Sequence, residues 1–187
     1  MGYEFKRFPV WGLMALMAAT RFHHFGDLQT PPDASWAVFF LAGLFVPQSG
    51  FFALLFLEAV LIDLLATTYG GVSDWCITPA YLFLVPTYGV LWFAGRICRR
   101  HDLDRTVGLI RTLVVLTVAV GLAFAISNAG FYFLSGYFDH LPLRDYLRQV
   151  AGYFPPYLLT TSAYAGLMLA GRWLWRQRTA PLSRPTG

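Results

Sequence analysis

The chain has 187 residues, of which 57% are hydrophobic, 18% aromatic and only 13% charged, which leaves too little polar surface for a soluble domain of this size. Its net charge of +4 comes from basic residues that flank apolar runs instead of forming one face, a pattern that argues for orientation in a bilayer and against nucleic-acid binding. Two cysteines, Cys76 and Cys98, cannot build a disulfide framework, and the helix between them would hold them roughly 27 Å apart at 1.5 Å per residue, so both read as free thiols.

The first apolar run, 8–22, follows Lys6-Arg7 and is short for a span. A cleaved secretory signal is the rival reading, but removing it would leave five spans and put a basic loop or the basic tail on the wrong side. The N-terminus also lacks the Ser or Thr that myristoylation wants at the sixth position. Ala15 and Ala19, with Ala18 beside them, give this helix a small-xxx-small face for close helix approach. His23 and His24 follow on the outer side, and adjacent imidazoles diverge on a helix, so only one of them can face a common cavity.

Two further helices, 34–46 and 51–68, are separated by Pro47-Gln48-Ser49-Gly50, with one kinked span over 34–57 as the alternative. The third span carries Glu58 and Asp63, and an ionisable group at mid-membrane costs at least about 2.5 kcal/mol unless it meets protein or water, so both should face inward. Asp63, about one turn from the outer end, can reach a cavity under the next loop. Glu58 lies deeper and reads as the partner in an internal helix–helix hydrogen bond.

That next loop, 67–81, reads TTYGGVSDWCITPAY. Gly70 and Gly71 are expected to end the helix by taking positive φ, and Pro79 to open the next one where a missing N–H is tolerated. Cys76 is then a positioned, unpaired thiol on the oxidising side, suited to be a soft ligand for a transition metal or a nucleophile. Asp74 opposes thiolate formation, so activation must come from a cation, from the helix N-terminus near Pro79-Ala80, or from a metal. Tyr81 lies about one turn further on.

The fourth span, 80–95, leads into a basic connection, 96–105, and then a fifth span, 107–134. In the long outer connection 135–155, Leu143, Leu147 and Val150 share one side of a short helix, while Arg144 and Arg148 share another, which reads as a lid. A sixth span covers 156–175, and the Pro- and Ser-rich tail 180–187 is expected to fray. With the N-terminus in the cytoplasm, Lys6, Arg7, Arg96, Arg99, Arg100, Arg105, Arg111, Arg172, Arg176, Arg178 and Arg184 fall inside. Only Arg21, Arg144 and Arg148 fall outside, as the positive-inside rule requires. The expected fold class is therefore an all-α membrane protein, a single domain over 1–187 with six transmembrane helices, both termini cytoplasmic, and a short amphipathic helix in the outer loop between helices five and six.

These features resemble the substrate-binding S-components of energy-coupling-factor vitamin transporters, which have about this length, six helices and an AxxxA face on the first helix. More closely, the chain is similar to the BtuM family, solitary cobalamin-specific S-components, through His24 after helix one, Asp63 late in helix three, Asp74-Trp75-Cys76, and Tyr81 at the start of helix four. Metal-specific relatives have histidine as the second residue, whereas this chain has Gly2. The resemblance implies cobalamin uptake across a bacterial cytoplasmic membrane, with cobalamin bound at the outer face, Cys76 as axial cobalt ligand, and His24, Asp63, Tyr81, Trp75 and Asp74 around it. Arg148 is placed there as the phosphate contact, a role Arg144 could fill equally. The resemblance further implies an energy-coupling-factor coupling protein and its ATPases as partners through Ala15 and Ala19, or none in a solitary protein.

A thiolate on Co(III) would displace the lower base and weaken the bond to a ligand opposite, such as cyanide, so cysteine-mediated decyanation accompanies this reading. Two alternatives stand beside it. One is an S-component for another vitamin. The other is a membrane thiol enzyme with Cys76 as nucleophile and His24 as base. No G-x-x-x-x-G-K-[ST] motif occurs, so an ATP-driven step needs other subunits.

Overall fold

The computed structural model describes residues 10–22, 31–71 and 73–179, with the backbone alone at Cys76 and Thr179. Its α-helices are α1 (Val10–Arg21), α2 (Ser35–Phe45), α3 (Gly50–Tyr69), α4 (Leu84–Cys98), α5 (Thr106–Leu134), α6 (Leu143–Ala151) and α7 (Phe154–Thr179). Two short 3-10 segments, Asp74–Cys76 and Pro79–Phe83, join α3 to α4. Gly50–Tyr69, Pro79–Cys98 and Thr106–Leu134 are long and apolar enough to cross a membrane, whereas α1 and α2 are apolar but shorter. The tail 180–187 lies outside the described residues.

The break between α2 and α3 overturns the single kinked span. Val46 is extended and α3 restarts at Gly50, so the chain reverses there instead of bending. The fourth helix begins less regularly than expected, because the Pro79–Phe83 turn is wound as a 3-10 helix before α4 proper. Thr78 caps that turn, its Oγ1 accepting from the Ala80 N–H at 3.2 Å, and Pro79 occupies the first turn as anticipated.

The hub is α2. All eleven of its residues are buried, and it packs on α1, α3, α4 and α7. A helix apolar on every side, SWAVFFLAGLF, has no face to offer water and belongs in the centre. Its closest neighbour is α4, and two glycines explain the approach. A Cβ on Gly95 would stand 2.1 Å from the Phe40 carbonyl oxygen, and one on Gly43 would stand 2.1 Å from that of Trp92. Only hydrogen fits at either position, so the two backbones touch directly. Phe39 stacks on Tyr88 across the same seam, with ring centroids 4.2 Å apart.

Contacts at the helix ends establish their directions. The end of α1, the start of α2, the last third of α3 and the start of α4 meet through Arg21, Ser35, Asp63 and Tyr88. At the opposite end Arg99, just past α4, donates to the carbonyl oxygens of Gly43 at 2.8 Å and of Val46, capping α2. Arg172 and Arg176 near the end of α7 reach Asp104 before α5, at 3.8 and 2.5 Å. Consecutive long helices therefore alternate in direction.

Outside this core the surface is apolar. Leu54, Leu57, Leu61, Leu64 and Leu65 on α3 and Val107, Ile110, Val114, Val118 and Leu122 on α5 are all exposed. Apolar surface of this extent marks an interaction with lipid or protein. Ala15, Ala18 and Ala19 are exposed as well, on the side of α1 away from the buried Leu13 and Met17. Trp36 and Trp92 are packed into the core.

Candidate functional site

The polar centre of the molecule is Arg21, and the sequence reading assigned it no role beyond an outer charge. Its side chain is 1% exposed. Nε donates to Asp63 Oδ1 at 2.8 Å and Nη2 to Asp63 Oδ2 at 2.6 Å, a bidentate fork. Nη1 donates to Ser35 Oγ at 2.9 Å and Tyr88 Oη at 2.7 Å, with Asp33 Oδ2 at 3.4 Å. Asp33 in turn accepts from the Ser35 hydroxyl at 2.6 Å and the Ser35 N–H at 2.9 Å, which orders the entry to α2. A buried guanidinium needs this degree of pairing, because an unpaired one would not be retained in an apolar interior.

Asp63 also meets Tyr81. The Tyr81 hydroxyl donates to Asp63 Oδ2 at 2.7 Å, tying the loop that carries Cys76 to the last third of α3. The expectation that Asp63 opens onto a cavity takes a different form, since its carboxylate is already engaged by Arg21 and Tyr81. Local hydrogen bonds cap the described residues of the Cys76 loop. Gly71 takes the positive φ, +66°, while Gly70 stays near −90°, so one glycine of the pair makes the turn. Ser73 Oγ accepts from the Trp75 N–H at 3.2 Å, and the Asp74 carbonyl accepts from the Ile77 N–H at 2.7 Å.

Trp75 connects this loop to the outer connection. Its ring lies flat on Tyr137, 3.8 Å between centroids and 5° from parallel. Asp74 and Trp75 are both exposed, and Cys76 follows them in the same 3-10 segment, its side chain lying outside the described residues. His24 also lies outside the described residues. Arg148 is not brought to the Arg21–Asp63 centre by any contact. It is exposed and faces Asp145 on its own helix at 3.7 Å, an ordinary i,i+3 pair.

The expected short amphipathic helix of the outer connection is α6. Leu143 and Leu147 are exposed, and the anchor is Tyr146, 2% exposed, whose hydroxyl reaches the Asn128 carbonyl at 3.0 Å. Burial raises the Tyr146 phenol above its ordinary range, which keeps it a donor. Glu58 does not form the expected hydrogen bond at Oε2, which is buried with no partner among the described residues. Cys98 is buried in α4, close in sequence to Arg99 and so at the far end from the Cys76 loop.

Comparison with protein-family models and with characterised proteins gives no match for this chain. The class defined by fold and site is thus an all-helical chain, with helices able to cross a membrane and a buried ion cluster beneath a cysteine-bearing loop.

Proposed function

We propose that this chain is a six-helix protein of a bacterial cytoplasmic membrane, with both termini in the cytoplasm, that captures cobalamin at its outer face for uptake. The observation that carries the reading is the joint placement of Asp63, Tyr81 and the Asp74–Cys76 turn. The Asp74–Cys76 turn and Tyr81 share one loop, and the Tyr81–Asp63 bond ties that loop to α3, so the three elements named by the resemblance lie at one end of the bundle. The positive-inside distribution of arginines puts that end outside.

The chemistry suits a macrocycle. A cobalt already held by the four nitrogens of a corrin asks the protein for one axial donor only, and Cys76 is the soft donor on that loop. Exposed Tyr69, Trp75, Tyr137 and Tyr153 offer flat apolar faces for the ring and hydroxyl donors for its rim amides. Because Trp75 and Tyr137 already stack on each other, admission of the ring requires that pair to separate. Coordination of the Cys76 thiolate to Co(III) is a ligand substitution. Cyanide opposite it then leaves with its electron pair, and cobalt stays Co(III).

The exposed Ala15, Ala18 and Ala19 face is the surface for a coupling protein, if one is used. The reading is tested by titrating cobalamin into the purified protein and recording absorption spectra. Wild type should show a cobalt–thiolate band that Cys76→Ala lacks. Identical spectra for bound cobalamin in the two proteins would remove Cys76 from the role of ligand, and binding of another vitamin without cobalt would overturn the substrate.

A further inference from the structure

At the end of the bundle opposite Cys76, the connection from α4 to α5 forms an open hollow of about 360 Å³ lined by Arg100, His101, Asp102, Arg105, Val107, Gly108 and Arg111. The charges in it do not cancel. Asp102 is the only carboxylate in the lining and is paired with Arg105 at 3.2 Å. Nearby Asp104 is taken by Arg172 and Arg176. Neither Arg100 nor Arg111 has an ion-pair or hydrogen-bond partner among the described residues, and both are exposed.

The backbone adds to this positive field. Arg105, at the N-cap of α5, provides no side-chain cap, so the first turn of this 29-residue helix, whose Val107 and Gly108 line the hollow, keeps its N–H groups uncapped by a side chain. Gly108 allows the tight approach that forms the floor, because a Cβ there would stand 1.9 Å from the Asp102 carbonyl oxygen. His101 is turned away from a ligand role by its 3.0 Å contact with Thr112 Oγ1.

A second, apolar feature begins where the hollow ends. Val107, Ile110, Val114, Val118 and Leu122 recur at helical spacing on one side of α5, each more than half exposed. They form a stripe about 22 Å long at 1.5 Å per residue, leading from the hollow along a helix apolar enough to cross a membrane. Arg111 sits within that stripe, with its long stem free to carry the guanidinium back toward the hollow. The hollow and the stripe adjoin, so a molecule with an anionic head and apolar chains would meet both, whereas a soluble anion would meet the arginines alone.

We propose that this hollow binds the phosphate of an anionic phospholipid, with Arg100 and Arg111 as its cationic contacts and the acyl chains lying along Val107, Ile110, Val114 and Val118. The site fixes the α4–α5 connection at the membrane surface. It rests on the chain crossing the membrane and is independent of cobalamin.

The test uses the full chain in zwitterionic detergent, titrated with phosphatidylglycerol, phosphatidylcholine or glycerol 3-phosphate and followed by native mass spectrometry. Wild type should retain one phosphatidylglycerol in preference to phosphatidylcholine, and glycerol 3-phosphate should bind far more weakly. With about 1 kcal/mol per cation near an anionic headgroup, Arg100→Gln combined with Arg111→Gln should weaken phosphatidylglycerol binding roughly thirtyfold. Both positions are exposed, so the variant should fold, and unchanged phosphatidylcholine adducts check that it does. Equal phosphatidylglycerol affinity in wild type and variant would overturn the proposal. So would glycerol 3-phosphate binding as tightly as the lipid, or Arg144→Gln at the other end weakening binding as much as Arg111→Gln alone.

Discussion

Replacing Asp63 by Asn keeps the shape of the side chain and its contact with Tyr81 but removes the charge that the Arg21 fork is built around. Arg21 is then left 1% exposed, with the two neutral hydroxyls of Ser35 and Tyr88 and with Asp33 at 3.4 Å as its remaining carboxylate. Losing one partner of a buried pair costs about 3–5 kcal/mol, and the remaining Asp33 contact puts the expectation at the lower end, about 3 kcal/mol. For a chain of this size that corresponds to a fall in Tm of roughly 6–12 °C. Thermal unfolding in a single detergent, followed by circular dichroism, reads it directly. The companion measurement is Arg21→Met with Asp63→Leu, which removes both charges and leaves no orphan. That double variant should unfold at a higher temperature than Asp63→Asn. If Asp63→Asn melts within 2 °C of wild type, or if the double variant is less stable than the single one, the cluster does not hold the four helices together as argued.

Three further outcomes follow from the packing. Gly95→Ala places a methyl against the Phe40 carbonyl, a backbone atom that cannot swing aside, and should cost at least about 1–3 kcal/mol, read as a lower unfolding midpoint; a neutral result would mean that α2 and α4 are further apart than described. Arg99→Met uncaps the end of α2 and should destabilise by about 1–3 kcal/mol, with Arg99→Lys recovering part of it in the same assay. Tyr137→Ala removes the Trp75 stack, worth about 0.5–1.5 kcal/mol beyond buried area, and should leave global unfolding nearly unchanged while raising hydrogen exchange in the loop after Gly71. Unaltered exchange there would show that the stack does not hold the loop.

The helical layout was legible because apolar runs, glycines and prolines act locally. The turn after Val46, the positive φ at Gly71 and the start at Pro79 all belong to that kind. The partnerships were less legible. Arg21 and Asp63 lie 42 residues apart, and in the sequence Arg21 looks like any charge that ends a short apolar helix. The signal that could have exposed it is the presence of Asp33 and Asp63 at the same predicted level of the bundle with no other cation assigned there. Small residues were legible only in part, for a related reason. Ala15 and Ala19 stand exposed, as a face for a partner helix would, but the contact that brings two backbones together within the chain is made by Gly43 and Gly95, 52 positions apart, in helices whose facing sides no local pattern reveals. The hydrophobic spacing of Leu143 and Leu147 likewise described a face without saying whether protein or lipid covers it, and Tyr146 does the anchoring.

The central claim is that the sulfur of Cys76 lies at the extracytoplasmic face and meets the cobalt of cobalamin. It is tested most directly by labelling intact cells with a membrane-impermeant maleimide, with and without cobalamin in the medium. The account predicts labelling of Cys76 from outside, none at the buried Cys98, and protection of Cys76 once cobalamin is present. Labelling that requires permeabilised cells, or that proceeds at the same rate with saturating cobalamin, would contradict it.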